Sequence, residues 1–172
     1  MGKKKTNPRR TPLPRNALDK DAILEEAVKD DMAHAWLLVA GPLLDRGHYL
    51  PPLADAVSAY VNSATLKDNK AAMTRAEAAL GIKKMHLDPD RVKSPVELEA
   101  FKKKVWKIAM QTALCVIYLA LERLIDKNEL KEIFFSADLT LAEVESGINS
   151  IDAIEKELLE RVGDVGMIEE RE

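Results

Sequence analysis

The chain contains an internal repeat that restricts how it can fold. Residues 35–61, AWLLVAGPLLDRGHYLPPLADAVSAYV, are echoed by residues 116–141, VIYLALERLIDKNELKEIFFSADLTL. The match is closest where residues 43–46, LLDR, align with residues 124–127, LIDK. Self-similarity of this kind usually marks one supersecondary unit used twice, each copy too small to bury its apolar face alone. We therefore expect the two copies to share a core.

Composition and apolar spacing both favour an all-α fold. The 172 residues are 47% apolar but only 5% aromatic, which is typical of helical bundles rather than of sheets. No segment alternates as a strand would, and no Asn-Gly or Asp-Gly turn joins two such runs. We predict two similar helical halves, each a long helix plus shorter helices, packed through their central long helices.

Capping residues, glycines and prolines predict where the helices begin and end. The Gly41-Pro42 pair should kink or interrupt the first helix, and Thr140 is expected to begin a separate short helix. The predicted helices span residues 17–45, 51–62, 66–80, 95–126, 128–137, 140–146 and 150–162. The chain then divides into an arm at 1–15, a first half at 16–82, a linker at 83–94, a second half at 95–163 and an acidic tail at 164–172.

The most apolar stretch of the chain, Ala113–Leu121, is expected at the centre of the molecule. It is under half of the roughly 20 residues that a membrane-spanning helix needs, so we predict no membrane partner. Cys115, the only cysteine, lies within it and is expected to be an inert buried thiol. A lone cysteine, and basic N-terminal residues that no apolar run follows, indicate a reducing compartment and hence a cytoplasmic protein.

The N-terminal arm has the opposite charge to the rest of the chain. Residues 1–15 hold six of the 26 basic residues and no acidic residue, while all 29 acidic residues follow. Three prolines and few apolar side chains predict that the arm is disordered. Its first residues also match an N-myristoylation signal, for which an ordinary charged leader is the alternative.

The basic residues support a hypothesis of nucleic-acid binding. Lysine and arginine side chains neutralise phosphates and release counterions, which gives attachment that does not depend on sequence. The candidate residues are Lys3, Lys4, Lys5, Arg9, Arg10, Arg15, Lys102, Lys103, Lys104 and Lys107. The acidic body would repel nucleic acid, and a solubilising arm with a solvated helix face is the alternative interpretation.

The acidic second half indicates a protein partner instead. Its glutamates could meet a basic protein surface, including one that normally holds nucleic acid, and exposed aromatic residues would strengthen the contact. The candidate protein-binding residues are Tyr49, Phe134, Phe135, Glu143, Glu145, Glu157 and Glu160. An ordinary solvated helix face is again the alternative.

No motif in the sequence supports catalysis. Glycine-rich phosphate loops, the G-x-S-x-G nucleophile elbow and the HExxH zinc motif are all missing, so we predict a non-enzymatic protein without cofactor or metal. Asp30, Asp31 and His34 have a helical spacing that could hold a divalent cation weakly. Because only one histidine takes part, a solvated polar face is the preferred interpretation.

Three motifs in the second half resemble a known group of proteins. They are Ile125-Asp126-Lys127, Phe134-Phe135 and residues 147–158, GINSIDAIEKEL. Over residues 116–162 these motifs resemble small helical proteins of tailed phages and prophages, with a leucine-rich helix, an Asp-Lys turn, an aromatic-containing helix and a final acidic helix. The resemblance implies a mobile-element setting, and with it the cytoplasm of a bacterial host cell, but not a particular activity.

These observations lead to one functional prediction and two alternatives. We predict a non-enzymatic, phage-type regulator that binds a macromolecular partner, with inhibition of a host nucleic-acid-guided defence nuclease as its specific form. The first alternative is an accessory protein that binds nucleic acid through residues 3–15. The second is a structural or assembly component that forms homo-oligomers.

Overall fold

The computed structural model describes residues 20–63, 70–83, 85 and 87–169, and every regular element in these ranges is helical. The α-helices are α1 Lys20–Asp45, α2 Leu50–Val61, α3 Lys70–Ala79, α4 Pro95–Leu121, α5 Lys127–Glu145 and α6 Ile151–Arg161. A short 3₁₀ turn, Pro89–Arg91, precedes α4. The all-α prediction is confirmed, whereas the arrangement in two similar halves remains a prediction.

The two long helices, α1 and α4, pack against each other at the centre of the molecule. Trp36, Leu38 and Leu43 of α1 and Met110 and Ile117 of α4 are almost fully buried. Every residue of Ala113–Leu121 is buried except the half-buried Ala120, as its apolar character predicts. Helices α2, α5 and α6 cover other sides of α1, and α3 lies on α4.

Helix α4 combines the length and hydropathy of a membrane-spanning helix with burial inside the bundle. By length and composition alone, Pro95–Leu121 could cross a membrane. However, 61% of its most apolar window is buried against other parts of the chain. Its hydrophobicity is therefore explained by its position in the core.

The first half of α4 carries a second, smaller apolar cluster. Leu87, Phe101 and Val105 are buried together, and Val92 packs against them. The predicted linker thus folds back on α4 instead of crossing open solvent. The Ser94 hydroxyl caps α4 by accepting a hydrogen bond from the Glu97 amide at 3.2 Å, as the sequence predicts.

Two predicted helix boundaries in the second half are wrong. The long helix ends at Leu121 rather than at Asp126, because Asp126 caps the next helix by accepting hydrogen bonds from the amides of Asn128 and Glu129. The two short helices predicted at 128–137 and 140–146 are one helix, α5. Thr140 does not begin a helix, since its hydroxyl donates to the Ser136 carbonyl one turn earlier, at 3.1 Å.

Helix α1 continues through Pro42, so the helix is not interrupted there, whereas the alternative, a kink, stays a prediction. Proline removes one backbone donor and crowds the preceding turn. Pro42 lies only three residues before the end of α1, so its effect is confined to the last turn of the helix. The burial of Leu38 and Leu43 on either side of it favours the helical path.

The repeated Asp-basic motif occupies different structural positions in its two copies. Asp45 is the last residue of α1, and Gly47 closes the following turn with a φ of 80°, whereas Asp126 caps a helix. The first of these turns lies against the start of α5, where Arg46 pairs with Glu132 and His48 Nε2 is 2.6 Å from Glu129 Oε1. The repeat therefore preserves apolar spacing more closely than turn geometry.

Candidate interaction surfaces

An apolar groove lies between α3, α4 and α5. The open cleft holds about 140 Å³ and is lined mostly by apolar side chains. Lys131 and Asp138, both on α5, supply opposite charges at its rim. We call this feature the α3–α5 groove, and its apolar lining consists of Ala79, Leu80, Ile82, Leu114, Phe134 and Phe135.

Two exposed apolar side chains on α5 extend the groove surface. Phe135 is 67% exposed and Leu139 is 53% exposed. They are four residues apart on one helix and therefore lie on the same face, one turn apart. Together with the α3–α5 groove they form an apolar surface with a charged rim, the arrangement typical of protein-binding sites.

The two adjacent phenylalanines proposed as binding residues have different positions. Phe134 is only 3% exposed, and its ring meets that of Tyr118 edge to face, with the ring centroids 5.5 Å apart. Successive residues on a helix point about 100° apart, so burial of Phe134 turns Phe135 towards solvent. Only Phe135 has the exposure that a direct anchor for a partner needs.

The remaining candidate protein-binding residues do not line the groove. Tyr49 is 74% exposed but lies at the start of α2. Glu143, Glu157 and Glu160 are exposed on α5 and α6. Because these residues come from three different helices, they offer separate points of contact and not one site.

Two residues assigned to different sites from the sequence are partners of each other. Lys107 Nζ lies 3.2 Å from Glu145 Oε2, and this ion pair joins α4 to the end of α5. Both side chains are partly shielded from solvent, with 33% and 44% exposure. Each charge is thereby offset, which makes both residues weaker candidates for binding an external ligand.

The other three lysines of α4 are consecutive and exposed, so they point in three directions around the helix. Lys102, Lys103 and Lys104 are exposed, whereas Phe101 and Val105 of the same turns point into the small apolar cluster. Lys102 lies 3.5 Å from Glu99. Within the described residues, Lys103 and Lys104 have no ionic partner.

The arm residues Lys3, Lys4, Lys5, Arg9, Arg10 and Arg15 lie outside the described residues.

A paired arginine and glutamate hold α3 against the end of α4. Arg75 donates two hydrogen bonds to the Glu122 carboxylate, at 2.6 and 2.7 Å. These bonds are the main reason that the pKa of Glu122 is lowered, and they raise the pKa of Arg75. The position of α3, and hence one wall of the α3–α5 groove, depends partly on this pair.

Neither Cys115 nor the Asp31–His34 region has the geometry of a reactive centre. Cys115 is fully buried, and burial, with a smaller contribution from Glu77, raises the pKa of its thiol to about 12. His34 Nδ1 lies 3.3 Å from Asp31 Oδ1, while the side chain of Asp30 is outside the described part of the structure. Among the described residues, no three metal-ligating side chains come together.

Two residues of the groove surface, Phe134 and Phe135, are predicted from the sequence, and the others are not. Phe135 is a candidate protein-binding residue from the sequence. Leu139 is not, although it lies four residues after Phe135 and so on the same face of a helix. Ala79, Leu80 and Ile82 gave no signal, since they join Phe135 only through tertiary packing.

Comparisons with protein-family models, with curated proteins and with solved structures yield no match to this chain.

Proposed function

We propose that this protein is a non-enzymatic regulator that binds another protein through the α3–α5 groove and the adjacent Phe135 and Leu139. The observation that carries the proposal is the high exposure of these two apolar side chains beside an apolar cleft. Aromatic side chains next to a pocket supply a large share of the binding energy at protein interfaces. Burial of one such side chain contributes about 1.5–3 kcal/mol.

The specific form that we propose is a phage-type regulator that acts in the bacterial cytoplasm and inhibits a nucleic-acid-guided defence nuclease. The charge of the second half supports it, because residues 108–172 carry six basic and 15 acidic residues. A surface of this sign suits the basic clefts in which such nucleases hold their nucleic acids. The resemblance of residues 116–162 to phage proteins supports the same setting.

The experiment compares two charge-introducing variants of exposed apolar residues. Phe135→Glu places a charge on the groove surface, while Ile148→Glu does the same at an 80% exposed position between α5 and α6, outside the groove. Tagged wild-type protein and both variants are used to capture partners from a host lysate, with identification by mass spectrometry. We expect a protein that wild type and Ile148→Glu retain and that Phe135→Glu loses at least about tenfold, equivalent to 1.4 kcal/mol.

Equal capture by all three proteins would contradict the role of the groove, and capture of nothing by wild type would contradict the proposed function. Stable self-association in light scattering at high concentration would instead favour an assembly component. For the specific form, purified wild type should slow target cleavage by a guided nuclease, and Phe135→Glu should not. Unimpeded cleavage in a panel of such nucleases would remove that form of the proposal.

A second candidate function is nucleic-acid binding, supported by the exposed lysines of α4. Lys102, Lys103 and Lys104 project from the same part of the chain, residues 83–107, which has eight basic and four acidic residues. Phosphate contacts by such side chains would make affinity fall steeply with salt. The basic arm at residues 1–15 would add to the same attachment.

The test of this candidate replaces three lysines by glutamine. If it is right, the Lys102, Lys103 and Lys104 triple variant binds random duplex DNA more weakly and shows a salt dependence reduced by about three phosphate contacts. The matched control replaces Lys70, Lys127 and Lys156, which are exposed on three other helices. Deletion of residues 1–15 should also weaken binding. DNA affinity unchanged by the triple replacement and by the deletion would exclude this candidate.

A further inference from the structure

The segment that follows α6 packs along α1 and α2. Residues 163–169 are non-helical, and we call them the C-terminal segment. Val165 is buried and Ile168 is partly buried against the main core, whereas Met167 is 70% exposed. The segment therefore has an inner side that inserts into the protein and an outer side that faces solvent.

Side chains of α1 and α2 hold the C-terminal segment by its main chain. Trp36 Nε1 donates to the Val165 carbonyl at 2.9 Å, and Asn62 Nδ2 donates to the Glu169 carbonyl at 2.8 Å. The Glu169 amide donates to Ser58 Oγ at 2.9 Å. The single Ser58 hydroxyl proton has two acceptors in range, the Ala54 carbonyl at 3.0 Å and the Met167 carbonyl at 3.3 Å.

One position of the segment accepts only glycine. Gly166 has a φ of 74°, a conformation that other residues rarely adopt. A Cβ atom at this position would lie 2.5 Å from Ala54 Cβ and 3.2 Å from Pro51 Cα. Main-chain hydrogen bonds combined with one obligatory glycine and two inserted apolar side chains define a recognition pattern, Val-Gly-x-Ile.

We propose that the surface formed by Trp36, Pro51, Ala54, Ser58 and Asn62 is a peptide-binding trough whose resident ligand is the chain's own C-terminal segment. The segment acts as a removable latch, and its release leaves the trough open to a peptide of the same pattern. This site is separate from the α3–α5 groove and does not depend on the function proposed for it.

The balance of contacts explains why the latch can open while the bundle stays folded. Seven residues must be ordered, yet only Val165 and Ile168 insert apolar side chains, and the hydrogen bonds replace similar bonds to water. Gly163, which joins the segment to the end of α6, would have no atom within 4 Å of an added Cβ. The segment can therefore separate there without disturbing the packing of α6.

The test uses the fluorescence of Trp36 in the full chain. Trp106→Phe removes the second of the two tryptophans. The remaining fluorescence then comes from Trp36, whose indole N–H donates to the Val165 carbonyl. Gly166→Ala should release the latch and shift the emission to longer wavelength, while Gly163→Ala, in the same segment but in open space, should leave it unchanged. Far-UV circular dichroism checks that the helices persist.

A labelled peptide of residues 163–169 then probes the open trough. We expect it to bind the Gly166→Ala chain at least roughly tenfold more tightly than the Gly163→Ala chain, where the attached latch competes. The same peptide carrying Gly166→Ala should not bind. Absence of peptide binding to the released chain, or equal binding of the two peptides, would overturn the proposal.

Hydrogen exchange in the unaltered chain gives a result that does not depend on any variant. The Gly166 and Glu169 amides, which donate to Asp164 Oδ1 and Ser58 Oγ, should exchange roughly 100-fold faster than core amides of α4. Exchange of both at the rate of the core would show that the segment leaves only when the whole protein unfolds. That result would also overturn the proposal.

Discussion

At the scale of single residues, Cys115 gives the sharpest chemical prediction. Burial raises the pKa of its thiol to about 12, so the thiolate fraction at neutral pH is roughly 1000-fold smaller than in an unfolded chain. We expect a thiol reagent to leave the folded protein unmodified and to modify it rapidly in denaturant. A Cys115→Ser chain that also carries Ser136→Cys, at an exposed position on α5, provides the reactive control. Rapid modification of folded wild type would contradict the burial of this thiol.

The residue scale also shows where sequence reasoning reaches its limit. The burial of Cys115 was predictable, because the residues on both sides of it in the chain are apolar. The different positions of Phe134 and Phe135 were not, since local spacing gives the angle between them but not which one points inward. That choice depends on Tyr118, which belongs to another helix and meets the ring of Phe134.

At the scale of elements, α3 depends on an ion pair that responds to acid. Hydrogen bonds from Arg75 keep the pKa of Glu122 below its ordinary value, while burial opposes the shift. A lower pKa in the folded state means that the stabilisation is present above the pKa of the unfolded chain, roughly 4.3, and is lost as pH falls through the folded value. Because Arg75 is 57% exposed, solvent screens the pair and limits its contribution to about 1 kcal/mol or less.

Replacement of Glu122 tests this dependence. Glu122→Gln should reduce the free energy of unfolding at neutral pH, and its difference from wild type should shrink as the pH falls through the lowered pKa of Glu122 and wild type loses the same contribution. It should also speed hydrogen exchange in α3. Glu132→Gln, which removes the pairing with Arg46 at another place, should leave exchange in α3 unchanged. An equal effect of both replacements on α3 would show that Arg75 and Glu122 do not anchor it.

The helix boundaries show which features the local sequence determines and which depend on tertiary packing. Ser94 was correctly identified as a cap because the amide that it accepts from belongs to Glu97, three residues later. The end of α4 was misplaced because its apolar spacing continues to Ile125, which is buried beyond the helix end. Apolar residues on either side of a turn can thus face the same core, and periodicity alone does not reveal the break.

At the scale of the whole molecule, the central core was predictable and the candidate binding surface was not. The apolar composition of the stretches in α1 and α4 is enough to predict that they form the core. The α3–α5 groove requires α3, from the first half of the sequence, to meet α5, from the second. Four of its six apolar lining residues are ordinary alanine, leucine and isoleucine, whose significance comes from assembly and not from their local pattern.

The hydrogen bond between Trp36 and Val165 has a consequence for the order of events during synthesis. The indole donor lies in the first described helix, and its acceptor is made 129 residues later. During translation α1 emerges long before α4, α5 and α6, with which it makes most of its contacts to other helices. The nascent chain must therefore keep an apolar helix uncovered, or covered by a temporary partner, until these three helices have left the ribosome. Chaperone dependence would accordingly begin with α1 and last until α6 has emerged.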